Sequence, residues 1–149
     1  MGWRDLSFDY AGRTVLVTGA TSGIGAAIAR AYAEAGANVI VGGTRAAATD
    51  YAEPLAPGRY LSIDVTDDAS IGRALATLDR LDVLVNCAGV AMPVPGDQYD
   101  PAAFERGVRM HLTGVYRVTH GCAPLLEASA ISAMPPCRAT ARARRASPR

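Results

Sequence analysis

Apolar residues fall along the chain in two alternating rhythms. Thr14-Val15-Leu16-Val17-Thr18 is a short β-rich run. It predicts a strand buried on both faces, as in a parallel sheet. Ile24, Ala27, Ile28, Ala31, Tyr32 and Ala35 then recur at helical spacing, and Gly36 stands where a helix stop is expected. The alternation repeats. Ala37 to Val41 reads as a second strand, Ala46 to Glu53 as a short helix closed by Pro54, and Arg59 to Ile63 as a third strand. Thr66 is a candidate cap for the next helix, with Asp67 and Asp68 at its positive end. Ile71, Ala74, Leu75 and Leu78 form that helix's inner stripe, and Asp82 to Asn86 is a fourth strand. After a loop with Pro93, Pro95 and Gly96, Asp100-Pro101 opens a long helix. Its inner face is read as Phe104, Val108, Leu112, Val115, Thr119 and Cys122, with a bend expected near Pro124.

Four strands alternating with helices predict an α/β fold with a doubly wound parallel sheet and right-handed connections. The pattern stops near Ala128. Residues 1–127 are therefore expected to be the folded domain, and the Ala/Pro/Arg-rich stretch 128–149 a disordered or non-native tail. Charge follows the same division. Up to Glu127 there are ten arginines against fourteen acids; beyond it there are five arginines and no acid. The chain has no lysine. It has no uncharged apolar run long enough for a membrane span, and Met1 to Tyr10 lacks the apolar centre of a secretory signal. A cytoplasmic location without membrane partners is the expectation. Cys87, Cys122 and Cys137 lack CxxC or zinc spacing, which points to free thiols and no metal.

The chemistry begins at Thr18-Gly19-Ala20-Thr21-Ser22-Gly23-Ile24-Gly25, between a strand and a helix. A helix N-terminus offers free N–H groups and a favourable dipole to an anion. Glycines let the backbone turn there and let a diphosphate approach. The spacing is Gly-x3-Gly-x-Gly, and a merely tight strand–helix turn is the plainer reading of the same residues.

Thr-Gly-x-x-x-Gly-Ile-Gly after a first strand resembles the signature of the short-chain dehydrogenases/reductases. Three further segments match in order. Asp64-Val65 ends the third strand, where the family sets an Asp on the adenine amino group. Asn86-Cys87-Ala88-Gly89 ends the fourth, where Asn-Asn-Ala-Gly is usual beside the adenine ribose. Leu112-Thr113-Gly114-Val115 matches the family's fourth helix. The resemblance covers about Ser7 to Glu127. It implies a Rossmann-type sheet, here incomplete at about four of seven strands in the order 3-2-1-4-5-6-7. It also implies a nicotinamide dinucleotide held by Thr18, Gly19, Ser22, Gly23, Ile24, Gly25, Asp64, Val65, Asn86, Ala88 and Gly89. NAD-preferring members place an acid at the end of the second strand. Gly43 falls there, followed by Thr44 and Arg45. An arginine near the ribose 2′ position favours NADP over NAD; the alternative is that Arg45 is a solvated surface residue.

The family moves a hydride between nicotinamide and a carbonyl or alcohol carbon. A tyrosine transfers the proton, its pKa lowered by a lysine four residues on. None of the six tyrosines here can satisfy Tyr-x-x-x-Lys. Arginine, planar and permanently charged, does not substitute simply. His111 occupies the family's Asn position, as a proton relay or, more plainly, as a substituted helix residue with no partner. Ser129 and Ser132 lack a surrounding strand and do not replace the catalytic serine, so no catalytic residue is assigned. The expectation is an oxidoreductase of this family, inactive as this chain. The alternative is a non-catalytic dinucleotide-binding module. A carbonyl or alcohol would be the substrate of a complete form, and members are usually homo-oligomers. A nucleic-acid role for the basic tail is disfavoured because the tail lacks aromatics for stacking.

The Ala/Pro/Arg bias after Ala128 suits a shifted reading frame in GC-rich DNA. The fourth strand would then be a bare edge, and the product poorly stable. The expected outcome is that another frame just downstream of the Ala128 codon encodes an Ile/Val strand, a serine and Tyr-x-x-x-Lys. Sequencing the flanking DNA checks it, and a region without these elements contradicts it.

Overall fold

The computed structural model describes residues 8–90 and 100–133. Its centre is a parallel sheet of β1 (Thr14–Thr18), β2 (Asn38–Gly43), β3 (Arg59–Ser62) and β4 (Val83–Asn86), in the order β3-β2-β1-β4. This is the doubly wound α/β sheet expected from the sequence. The helices are α1 (Gly23–Glu34), α2 (Asp68–Leu75), α3 (Pro101–Val108) and α4 (Val115–Ala133). A π-helical turn, Arg109–Gly114, joins the last two into one rod. The short helix expected over 46–53 is a single 3-10 turn, Ala48–Asp50.

Pleating sends successive side chains to opposite faces, so the continuous apolar strands feed two cores. Leu16 and Ile40 pack with Ile71 and Ala74 of α2 and with Val118 and Cys122 of α4. Val15, Val17, Val39 and Val41 pack against Ala29, Ile28, Tyr32 and Ala33 of α1. The result is three layers, with α1 on one side of the sheet and α2 and α4 on the other.

Two helices bury a face that only partly overlaps the one the sequence pattern suggests: Ile28, Tyr32 and Cys122 pack inward as expected, and others do not. In α1 the buried residues are Gly25, Ala26 and Ala29, while Ile24 is 76% exposed. In the α3–α4 rod Ala103, Gly114, Val118 and Cys122 face inward, while Phe104 is 71% and Leu112 68% exposed. The reason is close approach. A Cβ on Gly114 would sit 2.7 Å from the Val65 carbonyl oxygen, and one on Gly25 2.3 Å from that of Gly19. Bulky residues are pushed to the flanks, and a periodicity read from them selects the flank. On α1 that flank meets the N-terminal segment, where Tyr10 stands edge-on to Tyr32 at 4.9 Å.

The cap of α2 is also corrected. Asp67, not Thr66, accepts the N–H groups of Ala69 and Ser70. The Asp100-Pro101 start of α3 is as expected, with Asp100 accepting from Ala102 and Ala103. The long helix passes through Pro124 and continues to Ala133, past the boundary expected at 127. Residues 128–133 are thus helical, and the rest of the expected tail lies outside the described residues, as do Cys137 and the loop at 91–99. Cys87 is a half-buried free thiol, and burial pushes the fully buried Cys122 thiol up to about 11.

One charged group ties the layers together at the start of β4. The Asp82 side chain is 3% exposed. It takes two bonds from Arg80, at 2.9 Å each, one from Arg13 at 3.0 Å and one from the Thr14 N–H at 2.8 Å. The Ser129 hydroxyl of α4 donates to it as well. Arg80 holds the Asp82 carboxyl well below the usual carboxylate range against the opposing effect of burial, and Ser129, the Thr14 N–H and Arg13 add to the lowering.

Removing this acid leaves its donors unmatched, so Asp82→Ala should cost about 3 kcal/mol, measured by urea denaturation. The native carboxyl titrates lower than the unfolded one, so its stabilisation is complete above about pH 4 and is lost as the pH falls below that. The stability gap between wild type and Asp82→Ala should therefore narrow from pH 7 to pH 3; a constant gap would contradict the assignment.

Candidate functional site

The C-terminal ends of parallel strands share one edge of a sheet, and ligands bind there where the strand order reverses. In this chain the reversal lies between β1 and β4. The turn after β1 carries Gly19 at φ +66° and Gly23 at φ +55°, conformations that L side chains rarely adopt. At Gly19 space forbids a side chain as well, since a Cβ would lie 2.6 Å from the Ala88 Cα. At Gly23 a Cβ would meet nothing within 4 Å. The turn thus presses on the end of β4 at one glycine and opens on space at the next.

Helix α1 starts in that space. Its N-cap, Ser22, makes no side-chain capping bond, and the first turn holds no acid. The N–H groups there have no partners within the helix, because an α-helix leaves its first donors unmatched. Such a mouth fits a diphosphate. Thr18, expected among the ligand contacts, is 1% exposed and serves differently. Its hydroxyl oxygen accepts the N–H groups of Cys87 and Ala88 at 3.1 and 3.2 Å and lies 3.4 Å from the Val85 carbonyl. It shapes the floor of the crevice from beneath.

The other expected residues surround this floor. The Asn86 amide donates to the Thr119 hydroxyl of α4 at 3.0 Å. Asp64 accepts the Thr66 N–H and hydroxyl at 2.8 and 2.7 Å, both on Oδ1, and its own N–H donates to Ser70. Val65 is buried beneath Gly114. Gly89 is exposed and faces the His111 ring, which a Cβ there would approach to 2.7 Å.

His111 therefore has partners, contrary to the plainer reading of its sequence position. Its Nε2 lies 3.1 Å from the Val90 carbonyl oxygen. A carbonyl only accepts, so the bond places a proton on Nε2. The π-helical turn presents this ring to the segment leaving β4, a role such turns often take at functional sites.

Beyond the end of β2 stands a group that periodicity and motif spacing do not reveal. A Cβ on Gly43 would lie 2.5 Å from both the Tyr51 hydroxyl and the Thr21 methyl, and 3.1 Å from the Tyr60 hydroxyl. The phenols are 3.2 Å apart. The Arg45 N–H donates to Tyr51 at 3.1 Å, and Tyr60 donates to the Arg45 carbonyl at 2.7 Å. The Arg45 guanidinium lies over the Tyr51 ring, 4.7 Å from its centre. Burial raises Tyr51, but its bonds with Tyr60, the Arg45 N–H, Thr44 and Thr21 outweigh this and lower it. Burial, then the bond to Tyr51, drives Tyr60 well above the ordinary phenol value. Among the described residues no three His, Cys, Asp or Glu side chains gather as a metal site, and no helix is long and apolar enough to cross a membrane.

Comparison with known proteins agrees with this geometry. The family model described as short chain dehydrogenase matches residues 13–132. A cis-4-hydroxycyclohexanecarboxylate dehydrogenase of Sinomonas cyclohexanicum is 44% identical over 115 residues, covering 71% of this chain and 46% of the relative. A D-threitol dehydrogenase of Mycolicibacterium smegmatis is 36% identical over 121 residues, covering 75% of this chain and 46% of the relative. Among solved structures, the Pseudomonas aeruginosa RhlG/NADP active-site complex superposes with a TM-score of 0.70 at 30% identity, over 82% of this chain and 51% of that one. A gluconate 5-dehydrogenase from Burkholderia cenocepacia, in complex with NADP and tartrate, gives 0.66 at 30%, over 78% of this chain and 49% of that one. The chain spans about half the length of the curated relatives it matches.

The two glycines should separate on substitution. Gly23→Ala strains only the backbone, at roughly 1–2 kcal/mol, and retains the fold. Gly19→Ala adds a collision with the Ala88 backbone and should lose distinctly more stability in urea denaturation. Equal losses would contradict the close approach described for Gly19.

Proposed function

The chain belongs to the short chain dehydrogenase family, whose members bind NAD(P), and from that premise we propose that it holds a nicotinamide dinucleotide, NADP in preference to NAD, without turning it over. The observation that carries the reading is the glycine turn at the mouth of α1. It puts unmatched N–H groups beside open space at Gly23, with no acid in the helix's first turn to repel an anion. The diphosphate rests on the backbone of Ser22 to Gly25. Ile24, exposed at the mouth, gives the ligand an apolar surface. Asn86, Ala88 and Gly89 line the crevice. Asp64, with Oδ1 engaged by Thr66, offers Oδ2 to the adenine amino group. Arg45 meets the 2′-phosphate, and Gly43 keeps from that place the acid that would repel it. Two structural neighbours that are NADP complexes support this preference.

When bound, the nicotinamide exchanges a hydride with an alcohol or carbonyl carbon. The names of the hydroxycyclohexanecarboxylate and threitol relatives support an alcohol, or the matching carbonyl compound, as the substrate class of the complete oxidoreductase. Proton transfer is another matter. With no lysine in the sequence, no tyrosine can be paired as the family's chemistry requires. His111 commits its Nε2 proton to Val90. The described residues therefore bind and orient the dinucleotide, and none is placed to exchange a proton with a substrate oxygen.

Titrating the chain with NADPH should give saturable enhancement of nicotinamide fluorescence, while NADPH oxidation against a panel of ketones and aldehydes stays at background. Absence of binding by folded protein would overturn the dinucleotide reading. Turnover above background would overturn the inactive one.

A further inference from the structure

We propose that Tyr51 and Tyr60 are positioning residues that clamp Arg45, so that the end of β2 selects a 2′-phosphorylated ribose; this rests on the dinucleotide reading above. The argument begins with counting protons. Each phenol has one to give. Tyr60 spends its proton on the Arg45 carbonyl, at 2.7 Å. The contact between the phenols at 3.2 Å must then carry the Tyr51 proton to the Tyr60 oxygen. The Arg45 N–H donates to Tyr51 in turn. The bonds form a closed ring that leaves Arg45 by its N–H, passes through both phenols and returns to its carbonyl.

Both backbone polar groups of one exposed loop residue are thus fixed by one pair of side chains. The guanidinium is held as well, over the Tyr51 ring. An arginine on a free loop loses loop and rotamer freedom on capturing a phosphate, and an arginine already held loses less. The clamp is also tied to the cofactor turn, because the Tyr51 hydroxyl and the Thr21 methyl close on the same point at Gly43. Thr21 lies between Gly19 and Gly23, so the phosphate within reach of Arg45 belongs to the molecule whose diphosphate lies on α1. A side chain at position 43 would have to displace the phenol, so the clamp also excludes the acid of NAD-selecting relatives.

The test uses the full chain and two probes, adenosine 2′,5′-bisphosphate and 5′-AMP, titrated calorimetrically, with circular dichroism confirming that each variant folds. Tyr51→Phe breaks the ring and keeps the aromatic face; Tyr60→Phe breaks it from the other side and serves if the first does not fold. Each should weaken the bisphosphate about five- to tenfold, the loss of a hydrogen bond or two, and leave 5′-AMP within about twofold. The double variant should be little worse than either single one, because the ring is already open. Arg45→Ala should abolish discrimination and make Tyr51→Phe silent. Equal weakening of both probes would show a merely structural role and overturn the proposal. Unchanged affinities would overturn it too, while wild-type discrimination kept the NADP reading. Wild-type protein that bound both probes equally would overturn the clamp and the NADP preference while leaving dinucleotide binding standing. Binding of neither probe would remove all three.

Discussion

The approach of the turn after β1 to the end of β4 sets the rest of the molecule. Gly19 has no side chain, and Ala88 takes the space a Cβ would need. Directly beneath, the Thr18 hydroxyl stitches the same turn to the N–H groups of Cys87 and Ala88. Two strands are thereby locked at the one place where the chain has left the sheet in both directions, toward β2 on one side and β4 on the other. Helices then cover opposite faces, and a crevice opens between them at the strand ends. The mouth of α1 points into that crevice because Gly23, a residue later than the cap, turns left-handed without obstruction.

The same economy of side chains governs the packing. Parallel strands buried on both faces must be apolar throughout, so a continuous run such as Thr14 to Thr18 is legible without structural knowledge. The glycine turn is legible for a similar reason, since few backbones need three glycines at that spacing between a strand and a helix. Helix faces are harder. Gly25, Ala26 and Ala29 bury the inner side of α1, and Gly114 lets the long rod lie against Val65. Small residues carry little hydrophobic signal, yet they mark the closest contacts, while Ile24, Phe104 and Leu112 carry a strong signal and face outward. The π-helical turn compounds this, because one wide turn rotates the face of everything after it.

What the sequence hides most completely is the group at Gly43. Tyr51 and Tyr60 belong to no periodic stripe and no spaced motif, and the residue they serve is reached through its backbone. Only the fold brings a loop phenol, a strand phenol and the glycine turn after β1 to one point. His111 is a related case. Its position was legible from the neighbouring Leu112-Thr113-Gly114, but its bond to Val90 depends on how the rod crosses the end of β4. Asp82 lies at the opposite end of the sheet from the crevice. Arg80 is its neighbour in sequence, but its bonds to Arg13 and Ser129 join chain segments far apart, so its burial and those partners do not follow from local pattern.

Holding a dinucleotide and exchanging protons with a substrate are separable tasks in this architecture. The proposed cradle needs backbone amides, missing side chains and one cation, all contributed between β1 and Gly89. These features depend on chain geometry, and they persist whatever chemistry stands elsewhere. Proton exchange depends instead on the electrostatic pairing of a phenol with an ammonium group one helical turn away, and arginine's fixed, delocalised charge does not reproduce it. The sequence has no lysine, so the reading proposed above assigns its described residues to recognition. The phenols beside Gly43 are engaged with each other and with Arg45, and in the proposed clamp that engagement holds the arginine in place.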